Sequence, residues 1–197
     1  MPVDKLNKRF DENFLQSPVP FLIASKNFIL GKKSPTIVFR LSFYCSSAIF
    51  LIYFLWHLIS FFSILFRHEI FDKNKIDVDT IILKQAKILG FSSADFIKNL
   101  ELFHCFSMLC WGGVFVSAVF LWRRLRGYFL FYCLSFLSYI ILMWVLLGMD
   151  YITNEITSYD YFFFLILFIS LLIPFIYDYL KRTRRKRMEE KMEEEAI

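Results

Sequence analysis

The chain has 197 residues, of which 57% are hydrophobic and 26 are phenylalanine, with only 6 Gly and 5 Pro. That balance excludes a disordered segment and a small disulfide-stapled secreted domain. The formal charge of +5 does not mark a nucleic-acid binder, because the basic residues stand beside long apolar runs, where they act as topogenic and lipid-facing charge.

Residues 1–34 read as a cytoplasmic N-terminal and interfacial segment carrying Lys5, Lys8, Arg9, Lys26, Lys32 and Lys33. It has no short apolar run with a small-residue cleavage site, so no removable signal is expected. Phe21 to Leu30 follows Pro18 and Pro20, stops at Gly31 and is too short to span. Two readings stay open for it. One is an amphipathic interfacial helix with Phe21, Leu22, Phe28 and Ile29 in the inner leaflet and Lys26 at the headgroups, and the other is an irregular segment folded onto the bundle.

Residues 35–180 form one transmembrane domain. Ser34-Pro35 is a good helix start, since serine caps free N–H groups and proline needs no donor in the first turn. The first span covers about 35–66, with Arg40 snorkelling near its inner end. The hydrophilic stretch 67–100 follows as an outer loop. Asp79 is expected there to cap a short helix ending before Gly90, with Val78, Ile81, Ile82, Ile88 and Leu89 on one face. Ser92, with Asp95 three residues on, resembles a capping box, and its helix is expected to run unbroken into the second span.

Spans two and three, about 101–122 and 128–149, are joined by Trp122-Arg-Arg-Leu-Arg-Gly127. No charged residue occurs from Leu102 to Trp122 or from Tyr128 to Met149, and each run matches a bilayer core of roughly 20 helical residues. Arg123, Arg124 and Arg126 place the turn between them in the cytoplasm. The opposite turn carries Asp150, Glu155 and Asp160 without Lys or Arg. The fourth span, about 160–180, contains Pro174, which is expected to remove a helix hydrogen bond and bend the last turns. Residues 181–197 are a cytoplasmic charged tail, Lys181, Arg182, Arg184, Arg185, Lys186 and Arg187 preceding an acidic run, and its good helix formers extend the span as helix.

The fold class is therefore all-α, a polytopic four-transmembrane-helix bundle with short amphipathic interfacial helices. All but six of the 23 Lys and Arg fall on the inner side, the six being Arg67, Lys73, Lys75, Lys84, Lys87 and Lys98. This asymmetry puts both termini in the cytoplasm. Arg126-Gly-Tyr-Phe-Leu-Phe-Tyr132 resembles the start of a span in many bacterial four-span proteins, which implies a bacterial inner membrane.

Intramembrane ionisable groups are functional suspects, and two facing histidines can ligate a haem iron. His57 and His104 are the candidates for cofactor binding. With the spans as drawn, however, His57 lies about nine residues inside its outer end and His104 about two, an offset of roughly 10 Å. Histidines in hydrogen bonds at helix contacts are expected instead, and no cofactor, metal ligand or catalytic residue is assigned. Cys45, Cys105, Cys110 and Cys133 all lie within spans and form no Cys-x-x-Cys, so they read as small packing residues. Gly112, Gly113 and Ser117 on the second span, and Ser42 and Ser46 on the first, make small-residue faces for close helix packing.

Arg123, Arg124, Arg126 and the basic run from Lys181 to Arg187 are the residues expected to meet lipid headgroups and set topology. Partners are membrane lipids, anionic ones included, and either a protein partner or further copies of the chain, with no nucleic acid. No phosphate-binding glycine loop, His-Glu-x-x-His or Gly-x-Ser-x-Gly occurs. The reading that follows is a non-catalytic integral membrane subunit, scaffold or accessory component. The alternatives are a homo-oligomeric pore lined by Ser42, Ser46, Ser135 and Ser138, and a redox or enzymatic protein using His57 and His104.

Overall fold

A computed structural model describes residues 19–31, 35–74 and 77–195. Among them the chain forms seven helices: α1 (Val19–Leu30), α2 (Ile37–Leu65), α3 (Arg67–Asn74), α4 (Val78–Ile88), α5 (Ser93–Trp122), α6 (Tyr128–Glu155) and α7 (Ser158–Glu195). No strand occurs among the described residues. Four helices, α2, α5, α6 and α7, are long and apolar enough to cross a membrane. In a hydrocarbon phase every backbone N–H and C=O must be paired within its own segment, which is why such runs fold as helix.

The long helices are not packed equally. α5 lies at the centre, with α2 on one side and α6 on the other, while the backbone of α7 runs closer to α2 than to α6 and meets α6 through aromatic rings such as Phe129–Phe175 and Phe136–Phe164, each pair with centres 5.0 Å apart. Trp111, Val114, Ala118 and Leu121 make one buried stripe down α5, recurring at the three- and four-residue steps of a helix face. Apolar side chains on the outer faces stay exposed, among them Leu41, Trp56, Leu109 and Val145.

The helix ends agree with the sequence in part. Ser92 caps α5, its hydroxyl accepting from Asp95 N and donating to the Asp95 carboxylate, and α5 continues unbroken to Trp122. The tail is helical to Glu195, and the buried Pro174 lies inside α7. Ser34 lies outside the described residues, and α2 starts after Thr36, which makes no side-chain cap bond. The cap of α4 is Asp77 rather than Asp79. Asp77 Oδ1 accepts from Thr80 N at 2.9 Å and Oδ2 from Thr80 Oγ1 at 2.5 Å, bonds that hold its carboxyl below the usual carboxylate range. Asp79 instead meets Arg67 Nε at 3.0 Å.

The apolar face expected on α4 also divides. Ile82 and Ala86 are buried and Val78 and Leu89 pack against the core, whereas Ile81 and Ile88, seven residues apart and so aligned with each other, are 61% and 71% exposed. The segment 21–30 is helical within α1, and Leu30 packs against Phe43, Ala118 and Trp122. The side chains of Phe21, Leu22 and Phe28 lie outside the described residues.

Two backbone features shape the ends of the bundle. α5 closes with Leu125 N donating to Phe120 O at 2.9 Å and Arg124 N to Leu121 O at 3.0 Å, and Arg124 sits at φ +57°. This is the left-handed position usually given to glycine, and the Arg124 guanidinium lies 4.9 Å from the Phe39 ring centre. At the other end Gly148 takes φ +82° and ψ 170° and interrupts α6, a conformation open to a residue without Cβ.

Candidate functional site

At the end of the bundle away from the arginine turn, the four long helices line a cavity of about 580 Å³ that opens to the surface beside the exposed Ile52, Leu55, Trp56 and Ile59. Its walls are largely aliphatic and aromatic, with Ile52, Phe103, Met143 and Phe163 among them. Polar groups converge on it from three helices. Tyr53 and His57 stand four residues apart on α2 and therefore share a face. His104 comes from the first half of α5, and Asp160 from the first turn of α7. Tyr151 and Ile156, which follow the Gly148 interruption, complete the wall.

Two hydrogen-bonded units result. Tyr53 Oη donates to Asp160 Oδ1 at 2.7 Å, while Asp160 Oδ2 accepts from Thr157 N at 2.8 Å and Thr157 Oγ1 at 2.7 Å. The carboxylate is thereby held by three donors. His57 Nδ1 and His104 Nδ1 are 2.9 Å apart, so one ring carries its proton on Nδ1 and the other accepts there. The His57 side chain is buried, and its Nε2 has no hydrogen-bond partner. Whichever tautomer holds, that leaves one buried polar atom unsatisfied beside the cavity.

The aromatic support is dense. Tyr53 stacks on Trp111 with ring centres 4.4 Å apart and planes at 3°. Tyr139 lies edge-on to both His57 and Trp111, at 5.6 and 5.5 Å. Such contacts fix the rings that carry the polar atoms.

The depth offset expected for the histidines is wrong. The apolar span of the second long helix begins at Asp95 rather than near residue 101, and that of the first ends at Leu65. His57 and His104 are then at nearly equal depth and in direct contact. Two imidazoles on opposite faces of a haem iron, each about 2 Å from it, hold their nitrogens roughly 4 Å apart, whereas the Nδ1 atoms of this pair stand at 2.9 Å. In this arrangement the rings bond each other.

The small-residue faces pack inside the chain. A Cβ at Gly113 would lie 3.0 Å from Ser135 Cβ on α6 and closer still to its hydroxyl, and the buried Ser117 hydroxyl donates to Tyr128 O at 2.7 Å. Gly112 has no neighbour within 4 Å of such an atom. Ser42 and Ser46 are buried on α2. Ser46 lies 3.0 Å from Ser170 on α7, and since Ser170 donates to Leu167 O, Ser46 is the donor between them. Ser138 bonds its own helix at Leu134 O on an exposed surface. The four serines considered as a pore lining thus stand at three separate places in one copy of the chain, Ser42 and Ser46 sharing one buried face of α2. The cysteines are unpaired.

The basic residues sit at the other end. Arg123, Arg124 and Arg126 are exposed in the turn, and Lys181, Arg182, Arg184, Lys186 and Arg187 are exposed along α7. The Arg185 side chain lies outside the described residues. Sequence reasoning did not reach Tyr53, Trp111, Tyr139 or the cavity itself. The spacing of Tyr53 and His57 on one helix face was the available signal, whereas Asp160 read only as one acid in a turn.

Fold and site together define a four-helix bundle of membrane type with a half-open, largely apolar chamber and a buried histidine pair in its lining. Compared with family models, with curated proteins and with solved structures, the chain matches none.

Proposed function

We propose that this chain is a non-catalytic integral membrane protein that holds a small amphiphilic molecule in the chamber, as a subunit or accessory component of a membrane assembly. The observation that carries the reading is the cavity of about 580 Å³ itself, which has Tyr53, His57, His104 and Asp160 together in its lining. Ligand sites fall in the range of about 300–1,000 Å³ and combine apolar walls with a few convergent polar groups. A molecule with an apolar body and one hydrogen-bonding end would fill the chamber and meet the polar residues of its lining.

Wild-type protein purified in mild detergent should carry a small molecule, detected by mass spectrometry of its solvent extract. Leu55→Trp, which enlarges a half-exposed side chain of the wall, should lose it while keeping the helical circular dichroism and elution volume of the wild type. Identical extracts from both proteins would reject the reading. The redox or enzymatic alternative draws support from the direct contact of His57 with His104. Under that alternative the recovered molecule is chemically converted on incubation, and His104→Phe abolishes the conversion.

The same proposal places the protein in a bacterial inner membrane with both termini cytoplasmic, supported by the basic arginine turn and the basic tail. The chamber then lies toward the outer leaflet. In a cysteine-free background, Lys84→Cys should react with an impermeant thiol reagent from outside intact cells, and Arg124→Cys only after permeabilisation. The reverse pattern would invert the topology.

A further inference from the structure

A second, smaller cavity of about 180 Å³ lies at the arginine-turn end, lined by Arg126, Tyr128, Phe175, Asp178, Tyr179 and Arg182. Tyr128 is the first residue of α6 and is only 3% exposed, and its hydroxyl has no hydrogen-bond partner. A buried hydroxyl without a partner is costly. Two guanidinium groups share the cavity with it. Arg126 projects from the turn, and Arg182 lies one helical turn beyond Asp178, whose carboxylate is 3.9 Å away.

That separation is long for an ion pair, and half of the Arg182 side chain is exposed. Asp178 therefore orients Arg182 without occupying the five donors of its guanidinium. The charge of the lining is two cations against one anion, an excess of one positive charge next to an unused hydroxyl donor. Phe175 and Tyr179, four residues apart on α7 and both exposed, form the apolar side of the opening.

We infer that this cavity is a binding site for a phosphate-bearing anion at the membrane surface, held by Arg126, Arg182 and the Tyr128 hydroxyl. Guanidinium groups match the oxygens of phosphate in a bidentate manner, and a tyrosine hydroxyl donates to a third oxygen. The phosphate can come from the headgroup of an anionic lipid or from a soluble phosphate compound. The site is independent of the chamber at the opposite end of the bundle.

The test uses the full-length protein in phosphatidylcholine nanodiscs containing a minor fraction of phosphatidic acid, with retained lipid read by native mass spectrometry. Wild type should retain phosphatidic acid over phosphatidylcholine. Arg126→Gln combined with Arg182→Gln should reduce that preference by roughly tenfold or more, the scale of two basic residues at an anionic surface. Tyr128→Phe, which keeps the ring in its packing, should reduce it by roughly threefold, the scale of one hydrogen bond. Displacement of the lipid by millimolar inorganic phosphate identifies a soluble phosphate as the ligand, and retention identifies the headgroup. The inference is overturned if wild type shows no preference and binds no inorganic phosphate, or if Arg184→Gln with Lys186→Gln, the same charge removed outside the cavity, lowers retention as much as the Arg126 and Arg182 pair does.

Discussion

Replacing Trp111 with alanine should produce the largest loss of stability of any single substitution in the bundle. The indole is 1% exposed and lies against Tyr53 at 4.4 Å, Tyr139 at 5.5 Å and Phe164 at 6.4 Å, so it joins α5 to α2, α6 and α7. In a bilayer, apolar side chains gain little by leaving lipid for the protein interior, and helices hold together by packing. The cost of the substitution is then the dispersion attraction forfeited around the vacated volume, toward the lower end of the about 3–5 kcal/mol seen for Trp or Phe to Ala in cores. Tyr53 would lose its stacking partner and with it the support for its bond to Asp160, so ligand retention in the chamber should fall too. Trp111→Phe should cost far less, because most of the ring packing is kept. Unfolding by sodium dodecyl sulfate in mixed micelles, followed by circular dichroism, measures both. A Trp111→Ala midpoint equal to that of Trp111→Phe would contradict the assignment of Trp111 as the central packing residue.

Gly113→Leu is the second substitution with a large expected effect, and it acts in the opposite way, by overfilling. The first added carbon would already lie 3.0 Å from Ser135 Cβ, and the remaining carbons have no space between α5 and α6. Overpacking of this kind costs about 1–3 kcal/mol and sometimes more, which exceeds the gain of up to about 1 kcal/mol from removing a helical glycine. Gly112→Leu, one residue away and with no neighbour within 4 Å, should be neutral or stabilising. Ser135→Gly in the Gly113→Leu background should restore part of the loss, since directly contacting sites are not additive. The same unfolding measurement reads all three. Equal effects at positions 112 and 113 would show that the α5–α6 contact is not where the structure puts it.

The phosphate site and the chamber make separate demands on the same bundle. Filling the chamber with Leu55→Trp should leave phosphatidic acid retention unchanged, and removing Arg126 and Arg182 should leave the extracted small molecule unchanged. The two readings can thus fail independently.

The number of long helices, the short turns on either side of α6, the capping of α5 by Ser92 and the helical course of the tail were all legible in the amino-acid order. These are local properties. A run of apolar residues long enough to cross hydrocarbon must pair its backbone within the run, and a cap acts over three residues, so neither needs knowledge of distant segments. Whatever depends on how one helix is set against another emerged only in the folded bundle. There Asp77 rather than Asp79 caps α4, because Asp79 meets Arg67 on the neighbouring helix. An arginine rather than a glycine takes the left-handed end of α5, where Phe39 receives the guanidinium. His57 reaches His104, since their relative depth depends on where α5 starts and how it slides along α2, and hydropathy records neither. The chamber exists only because four helices that look alike in composition meet with Tyr53, His104 and Asp160 turned toward one another, and the inward face of a membrane helix is as apolar as the outward one, leaving no periodic signal to announce it.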